Sequence, residues 1–586
     1  MEHRSINCHP DTRRACLVQE EFRSDEGSYE VPMPLQKNQQ VTLSITDMTE
    51  NGEGIGRADG YPLFVKDAVV GDTVEAVVTK ALKSYGYGRA LKITEPSADR
   101  VAPRCPISAP CGGCQLQALS YPAQLAFKEN KVRQHLSRLG GFDGGLLAEI
   151  SETIIGADSP FGYRNKAQIP FGTDREGRLI AGYYAGRSHR IVPMTGCPLN
   201  QDGFDHVLSL LLDFAREHRL SAYDEETGRG LLRHALIRRA KSSGQWMVSL
   251  VINGRRLPHA DELVRRLKQV PGMTDISLNI NTRRDNVILG DELIPLFGPG
   301  YIEEQIGELR FHLSPLSFFQ VNPEQTEKLY AKALEYAGLS GRENVWDLYC
   351  GTGTISLFLA KKAARVRGVE IVAPAIENAK ENARLNGIGN AEFFVGKSEE
   401  VFPDYLAAHP EESPDTVVLD PPRAGCGGAL LDALLACRPQ RIVYVSCNSA
   451  TLARDLKQLC EGGAYRLAKL CPVDMFPQTT HVEAIALLSK LSEVKHHIEV
   501  TVEMDELDLT SAESLATYDE IREWVRENYG FHVTNLNIAK MKRKHGIIER
   551  QNYNFPKSED SRQPNCPEEK EKAIEEALKH FKMIES

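Results

Sequence analysis

A chain of 586 residues and 65.2 kDa is too long for one hydrophobic core, so three or four domains are expected. Its 70 Lys+Arg against 80 Asp+Glu give a net charge of −10, which excludes a binder that works by bulk positive charge but not one whose basic residues share a face. No run of about 18 apolar residues exists to span a bilayer, and MEHRSINCHPDTRRAC has no apolar stretch for a signal peptide, so a cytoplasmic protein without membrane contact is expected.

Residues 1–33 are polar, mixed in charge and without periodicity, and read as a disordered N-terminus. Residues 34–95 change texture. VTLSITDM, YPLFVKDAVVGDTVEAVVTKAL and YGRALKITE alternate around glycine turns, which predicts about five short strands and an OB-like β-barrel. Lys83, Tyr85, Tyr87 and Arg89 on that barrel are candidates for holding single-stranded RNA. Residues 96–310 read as an α+β central domain. It opens on Cys105-x5-Cys111-x2-Cys114, with Cys197 as a distant fourth cysteine. Thirteen cysteines in a reducing compartment point to ligation, catalysis or burial rather than disulfides. Four thiolates suit zinc or an iron–sulfur cluster, and the spacing alone does not separate the two. Two basic clusters, Lys128, Lys131, Arg133 and Arg138, then Arg229, Arg233, Arg238, Arg239 and Lys241, are candidate RNA contacts, although each taken alone reads first as a solvated helix face or an exposed strand.

Residues 311–490 alternate strands (NVWDLY, ARVRGVE, AEFFVG, DTVVLD, RIVYVS) with helical segments, the pattern of a doubly wound, Rossmann-like sheet. The first strand runs into Gly351 and Gly353, and the second ends in Glu370, placed to accept from ribose hydroxyls. Ser356 stands where a dinucleotide fingerprint has its third glycine, and Asp347 ends the first strand, so the ligand inferred is S-adenosylmethionine. Later strands end in Asp420-Pro421-Pro422-Arg423 and in Ser446-Cys447-Asn448. Arg423 replaces the aromatic that methylation of an exocyclic amine calls for. A cysteine there suits methylation of pyrimidine carbon 5. A thiolate adds to carbon 6, carbon 5 becomes nucleophilic, and a base removes the carbon-5 proton. Glu483, after His481 in TTHVEAIALLSK, is the candidate base; Cys350 and Cys426 rival Cys447 as the nucleophile. Residues 491–586 hold 14 Lys+Arg against 20 Asp+Glu. They read as a helical extension that either adds phosphate contacts through its TNLNIAKMKRKHG helix or serves as a peripheral stabilising domain.

DLYCGTG, LDPPRAGC, YVSCNSATLARDL, HVEAIALL and FFQVN together resemble the RNA (uracil-5-)-methyltransferase family over about residues 34–490. The barrel is similar to the TRAM module, and the cysteine pattern to that of the iron–sulfur-bearing members. The resemblance implies a class I methyltransferase domain in which Gln320, Tyr349, Glu370 and Asp420 contact S-adenosylmethionine. It further implies Cys447 as nucleophile, Glu483 as base, Arg423 near the target base, and a [4Fe–4S] cluster on Cys105, Cys111, Cys114 and Cys197. Thr354 departs from the asparagine of several members. A barrel joined to a cysteine set points to 23S ribosomal RNA as partner and 5-methyluridine as product. The alternatives are the same chemistry on tRNA or a non-catalytic RNA-binding or ribosome-assembly factor. No protein partner is implied, and a monomer is expected.

Overall fold

Alternating apolar and polar residues close the first five strands on themselves. In the computed structural model, which describes residues 35–491 (except Arg187 and Thr195), 518–545 and 567–584, β1 (Gln40–Met48), β2 (Gly54–Ala58), β3 (Tyr61–Lys66), β4 (Thr73–Ala81) and β5 (Gly86–Glu95) form a closed barrel. Leu43, Ile45, Leu63, Val65, Val74 and Val78 fill it. The expected disordered N-terminus and the acidic run EVTVEMDELDL lie outside the described residues.

After the barrel, Arg100 pairs with buried Asp72 at 2.7 Å and leads into the cysteine-bearing segment. Helices α1 (Tyr121–Arg138) and α2 (Gly144–Ile150) follow. A mixed seven-stranded sheet comes next, built from β6 (Lys166–Thr173), β7 (Leu179–Tyr184), β8 (Ile191–Pro193), β9 (Leu232–Arg239), β10 (Trp246–Ile252), β11 (Met273–Ile280) and β12 (Glu292–Phe297). Helices α3 (Phe204–Glu217) and α4 (Ala260–Leu267) join its core.

The last sheet is the one that positions the site. A hairpin, β13 (Ile302–Ile306) and β14 (Leu309–Leu313), and helix α5 (Pro323–Ala337) precede it. Its strands are β15 (Asn344–Leu348), β16 (Arg365–Glu370), β17 (Ala391–Val395), β18 (Thr416–Leu419), β19 (Arg441–Ser446), β20 (Tyr465–Val473) and β21 (Glu483–Lys490), in the order β17-β16-β15-β18-β19-β21-β20. β15 to β19 pair in parallel, and β21 runs antiparallel between β19 and β20. Helices α6 (Thr354–Ala360), α7 (Ala373–Leu385), α8 (Ser398–Ala408), α9 (Gly428–Cys437) and α10 (Ser449–Glu461) alternate with the strands. Both faces are covered, which is why β19 reads as an unbroken apolar run: Val443 and Val445 enter one core, Ile442 and Tyr444 the other.

Residues 96–310, expected as one central body, are divided in the structure. Val132, Leu136 and Leu147 of α1 and α2 pack into the core of the last sheet, and Ser151 and Ile155 bridge to Leu470 and Val473 of β20. The β13–β14 hairpin buries Ile302, Phe311 and Leu313 in that sheet's other core. The apolar stripe of α1 is amphipathic in either setting, so the sequence pattern fixed its face but not its partner.

The described residues beyond 493 form a second unit, in which α11 (Tyr518–Tyr529), α12 (Asn535–Lys544) and α13 (Glu568–His580) pack around Ile521, Ile538, Met541 and Ile574. In α12, Lys542 is buried over the Tyr518 ring and Lys544 pairs with Glu571 at 3.0 Å, so these two cations are engaged within the unit. Among the described residues no helix is long and apolar enough to cross a membrane.

Candidate active site

β15 and β18 are neighbours although β16 and β17 separate them in sequence, and such a reversal opens a crevice at the strands' carboxyl ends. Left-handed backbone at Tyr349, Gly351 and Gly353 (φ 72°, 56° and 79°) folds the loop back over β16. The N–H groups of Tyr349 and Cys350 then donate to the Val369 carbonyl at 3.0 and 2.9 Å. A Cβ on Gly353 would stand 3.0 Å from that of Ala379 and 3.2 Å from the Phe393 ring, so glycine meets both demands.

Glu370 is anchored at this loop, accepting from the Gly351 N–H at 3.3 Å and the Val372 N–H at 2.9 Å. Ser356 donates to Oδ2 of buried Asp347, whereas Asp347 Oδ1 and Thr352 Oγ1 find no partner among the described residues. Orphaned polar atoms beneath a glycine loop fit a polar ligand that completes them. Beside Glu370, the apolar side chains of Ile371, Val372 and Val395 are exposed, a platform suited to a purine. Sequence reasoning passed over these three. Their signal is an apolar pair directly after an acidic strand end.

Of the other expected cofactor residues, Tyr349 belongs to this loop and Asp420 follows the neighbouring strand β18. The Tyr349 hydroxyl donates to Glu399 Oε1 at 2.6 Å. Gln320 lies on the 314–322 segment, which Ser317 ties to Asn378 of α7 and Asn322 ties to the Met475 carbonyl. Thr354 Oγ1 is engaged with the Tyr330 hydroxyl at 2.9 Å. Asp420 follows β18; burial first, then the charge of Asp347, push its carboxyl up to about 7. Burial and Glu370 likewise push Asp347 up to about 7.

One strand further, the SCN and DPPR motifs are physically joined. Asn448 caps α10 through the Ala450 N–H, and its amide donates to the Arg423 carbonyl at 3.1 Å; Thr451 Oγ1 donates there at 3.3 Å. Ser446 pairs with Ala484 across β19 and β21, so Cys447 and Glu483 occupy adjoining positions. Burial pushes the Cys447 thiol up to about 11, with Glu483 and Asp420 adding and Arg423 opposing. Burial and then Asp420 push Glu483 up to about 8, again against Arg423. The rivals are less open. Cys350 and Cys426 are buried, the first held well above the usual thiol range and the second pushed up to about 12, whereas Cys447 is half-buried.

Most residues of the two candidate basic clusters are engaged within the fold. Lys128 is 0% exposed and paired with Asp474, Lys131 donates to the carbonyls of Glu50 and Thr480, and Arg133 pairs with Glu129. On β9, buried Arg238 donates to the Ser314 and Ser317 carbonyls and buried Arg233 to those of Asn281 and Arg283. Arg239 donates to Asp202, and Lys241 pairs with Glu324. In the barrel, Tyr85 is buried in an aromatic cluster with Phe64 and Tyr87, while Lys83 and Arg89 are exposed. Conversely, Phe318, two residues before Gln320, is 68% exposed, which the FFQVN motif does not show.

Cys105, Cys111, Cys114 and Cys197 line one cavity of about 570 Å³. The CGGC loop lies flat against a neighbouring turn: a Cβ on Gly112 would stand 3.0 Å from the Gly186 Cα. Among the described residues, no three of these sulfurs lie within 4.8 Å of one another. Arg164 also lines the cavity, and its buried Nε has no partner among the described residues. A cavity lined by four sulfurs with an arginine beside them fits a thiolate-held metal centre, and zinc and an iron–sulfur cluster are both compatible with that donor set.

The family model described as tRNA (Uracil-5-)-methyltransferase matches residues 300–491, and the TRAM domain matches residues 34–91. An uncharacterised RNA methyltransferase of Halalkalibacterium halodurans is 48% identical over 456 residues, covering 78% of this chain and 98% of that one. One from Clostridium tetani is 46% identical, covering 79% and 99%. The crystal structure of Pyrococcus abyssi tRNA (uracil-54, C5)-methyltransferase in complex with S-adenosyl-L-homocysteine is similar with a TM-score of 0.60 and 29% identity, covering 76% of this chain and all of that one. With its glycine loop, its DPPR and SCN strand ends and its N-terminal TRAM barrel, the chain belongs to the RNA (uracil-5-)-methyltransferase family and is an S-adenosylmethionine-dependent RNA-methylating enzyme.

Proposed function

We propose that the enzyme methylates carbon 5 of a uridine in 23S ribosomal RNA through a covalent adduct on Cys447, with Glu483 as the base. The observation that carries this reading is the adjacency of a half-buried thiol and a buried carboxyl across β19 and β21, beside the DPPR loop. Cys447, as thiolate, adds to carbon 6; the new S–C6 bond uses its electron pair, and the π pair moves onto carbon 5 and the neighbouring carbonyl. S-adenosylmethionine, held by Gln320, Tyr349, Glu370 and Asp420 when bound, supplies the electrophilic methyl group. Glu483 then takes the proton from carbon 5, that C–H pair restores the C5=C6 bond, and Cys447 leaves as thiolate. Arg423 favours both ionised groups, because its charge opposes the upward shifts of Cys447 and Glu483.

The four cysteines are proposed to hold a [4Fe–4S] cluster with a structural role. It would tie the 105–114 loop to Cys197, and the catalytic steps above need no electron transfer. Protein purified without oxygen is expected to be brown and to contain iron and acid-labile sulfide, both lost in Cys111→Ser. Colourless protein carrying zinc would refute the cluster.

The barrel combined with the cysteine set supports ribosomal RNA as substrate. A second reading, tRNA, is favoured by the likeness to a solved enzyme named for uracil 54 of tRNA. Mapping 5-methyluridine in both RNA pools from cells lacking the protein decides between them. Loss at a 23S position is expected; loss confined to tRNA would replace the substrate, and loss in neither would overturn the reading.

A further inference from the structure

Glu483 begins β21, and the residues leading to it, Asp474 to Val482, have no regular structure yet are buried apart from Phe476 and His481. Buried irregular backbone persists only when other parts of the chain satisfy its polar groups. Here most of those partners come from α1 and from the two residues after Cys114. Lys128 donates to Asp474 Oδ1 and to the Phe476 carbonyl at 3.0 Å. Gln124 and Gln478 bond reciprocally: the Gln478 N–H donates to Gln124 Oε1 at 3.0 Å, and Gln124 Nε2 donates to Gln478 Oε1 at 3.1 Å. The Gln478 carbonyl accepts from the N–H groups of Gln115 and Leu116 at 3.1 and 3.0 Å. Lys131 donates to the Thr480 carbonyl at 3.1 Å.

Gln478 is held at φ 70°, a left-handed conformation that a glutamine adopts only where its surroundings impose it. The neighbouring thiol loop is gripped by the same helix, since His135 of α1 bonds Ser449, two residues beyond Cys447. One helix therefore bonds to the segments that flank both members of the reactive pair, and its densest bonding is to the approach to Glu483.

We propose that the Asp474–Thr480 segment is a preset support for Glu483, and that Lys128 and Gln124 are positioning residues for removal of the carbon-5 proton. This rests on Glu483 being the base. Chemistry before that step, addition of Cys447 to carbon 6 and uptake of the methyl group, does not use the Glu483 carboxylate. A slackened support leaves the S–C6 bond formed and delays its breakage, because the C–H pair that expels the thiolate is released more slowly. A general loss of structure would instead depress both halves.

The test follows methylated RNA and denaturant-stable protein–RNA adduct together, using the full-length protein, S-adenosylmethionine and an unmodified RNA containing the mapped uridine. Gln124→Met and Lys128→Met are compared with wild type and with Glu483→Gln; Gln124→Met keeps the test open because Lys128→Met strands Asp474 in the core and can cost the fold. The expected result for Gln124→Met is a kcat about tenfold lower, with KM for RNA within about twofold and an adduct fraction raised about tenfold. If Glu483→Gln accumulates adduct and Gln124→Met does not, the support is overturned while the base stands. If Glu483→Gln accumulates none, the reading beneath the proposal fails with it.

Discussion

Cys447→Ala is expected to abolish both methyl transfer and covalent trapping, a loss on the order of 10⁴-fold or more. The rival thiols Cys350 and Cys426 are buried and less open to a substrate. Carbon 5 of uracil becomes nucleophilic only while carbon 6 carries the added group, so removing the thiol removes the step rather than slowing it. The fold tolerates the change because Cys447 is half-buried at a strand end, and alanine there leaves no core void. Trapping with RNA containing 5-fluorouracil checks the assignment, since the base cannot strip fluorine from carbon 5 as it does hydrogen, so the bonding pair is not released and the adduct persists. Cys350→Ala and Cys426→Ala are expected to keep the adduct, although both sit in packed cores and lower stability. An adduct that survives Cys447→Ala would transfer the nucleophile to one of them.

Glu483→Gln is expected to lower turnover by about 10²- to 10⁴-fold while adduct accumulates on ordinary RNA, because addition proceeds and proton removal fails. The carboxyl of Glu483 is pushed up to about 8 by burial and then by Asp420, so the wild-type rate of adduct resolution should rise with pH and level off above about 8. The same shift acts on stability. A carboxyl whose pKa is higher folded than unfolded stabilises the fold at pH values below its ordinary range, and that contribution is lost as pH rises through the folded value. Wild type should therefore lose stability between pH 4.5 and about 8 relative to Glu483→Gln, and the variant should melt later at pH 8 to 9. Thermal melts of both proteins across that range check the sign. Equal melting temperatures throughout would mean that Glu483 is not held against its ionisation.

The parallel strands were legible because burial on both faces writes them as apolar runs, and their ends carry the motifs. DTVVLD and RIVYVS therefore located Asp420 and Cys447, and HVEAIALL located Glu483. Lys128 was not legible in the same way. A lysine on an amphipathic helix reads as a solvated or phosphate-binding charge, and its partner Asp474 lies 346 residues further along. Arg238 misled for a related reason. β9 is an internal strand, and its arginine spends its donors on the 314–317 carbonyls. The cysteine spacing proposes a ligand set from the sequence, but the shared cavity that Cys197 lines with the 105–114 loop appears only in three dimensions.

The contribution of residues 121–155 to the last sheet also decides what a minimal catalytic fragment must contain. A chain begun at residue 300, where the family match begins, would include every residue of the reactive pair and the glycine loop. It would also bare the β20 edge that Ser151 and Ile155 cover, the apolar face that receives Val132 and Leu136, and a carboxylate at Asp474 without its lysine. Unpaired strand edges and stranded charges favour aggregation over catalysis. The sequence motifs are contiguous, but the smallest self-sufficient enzyme is not, so grafting or shortening this catalyst calls for two separated stretches of chain carried together.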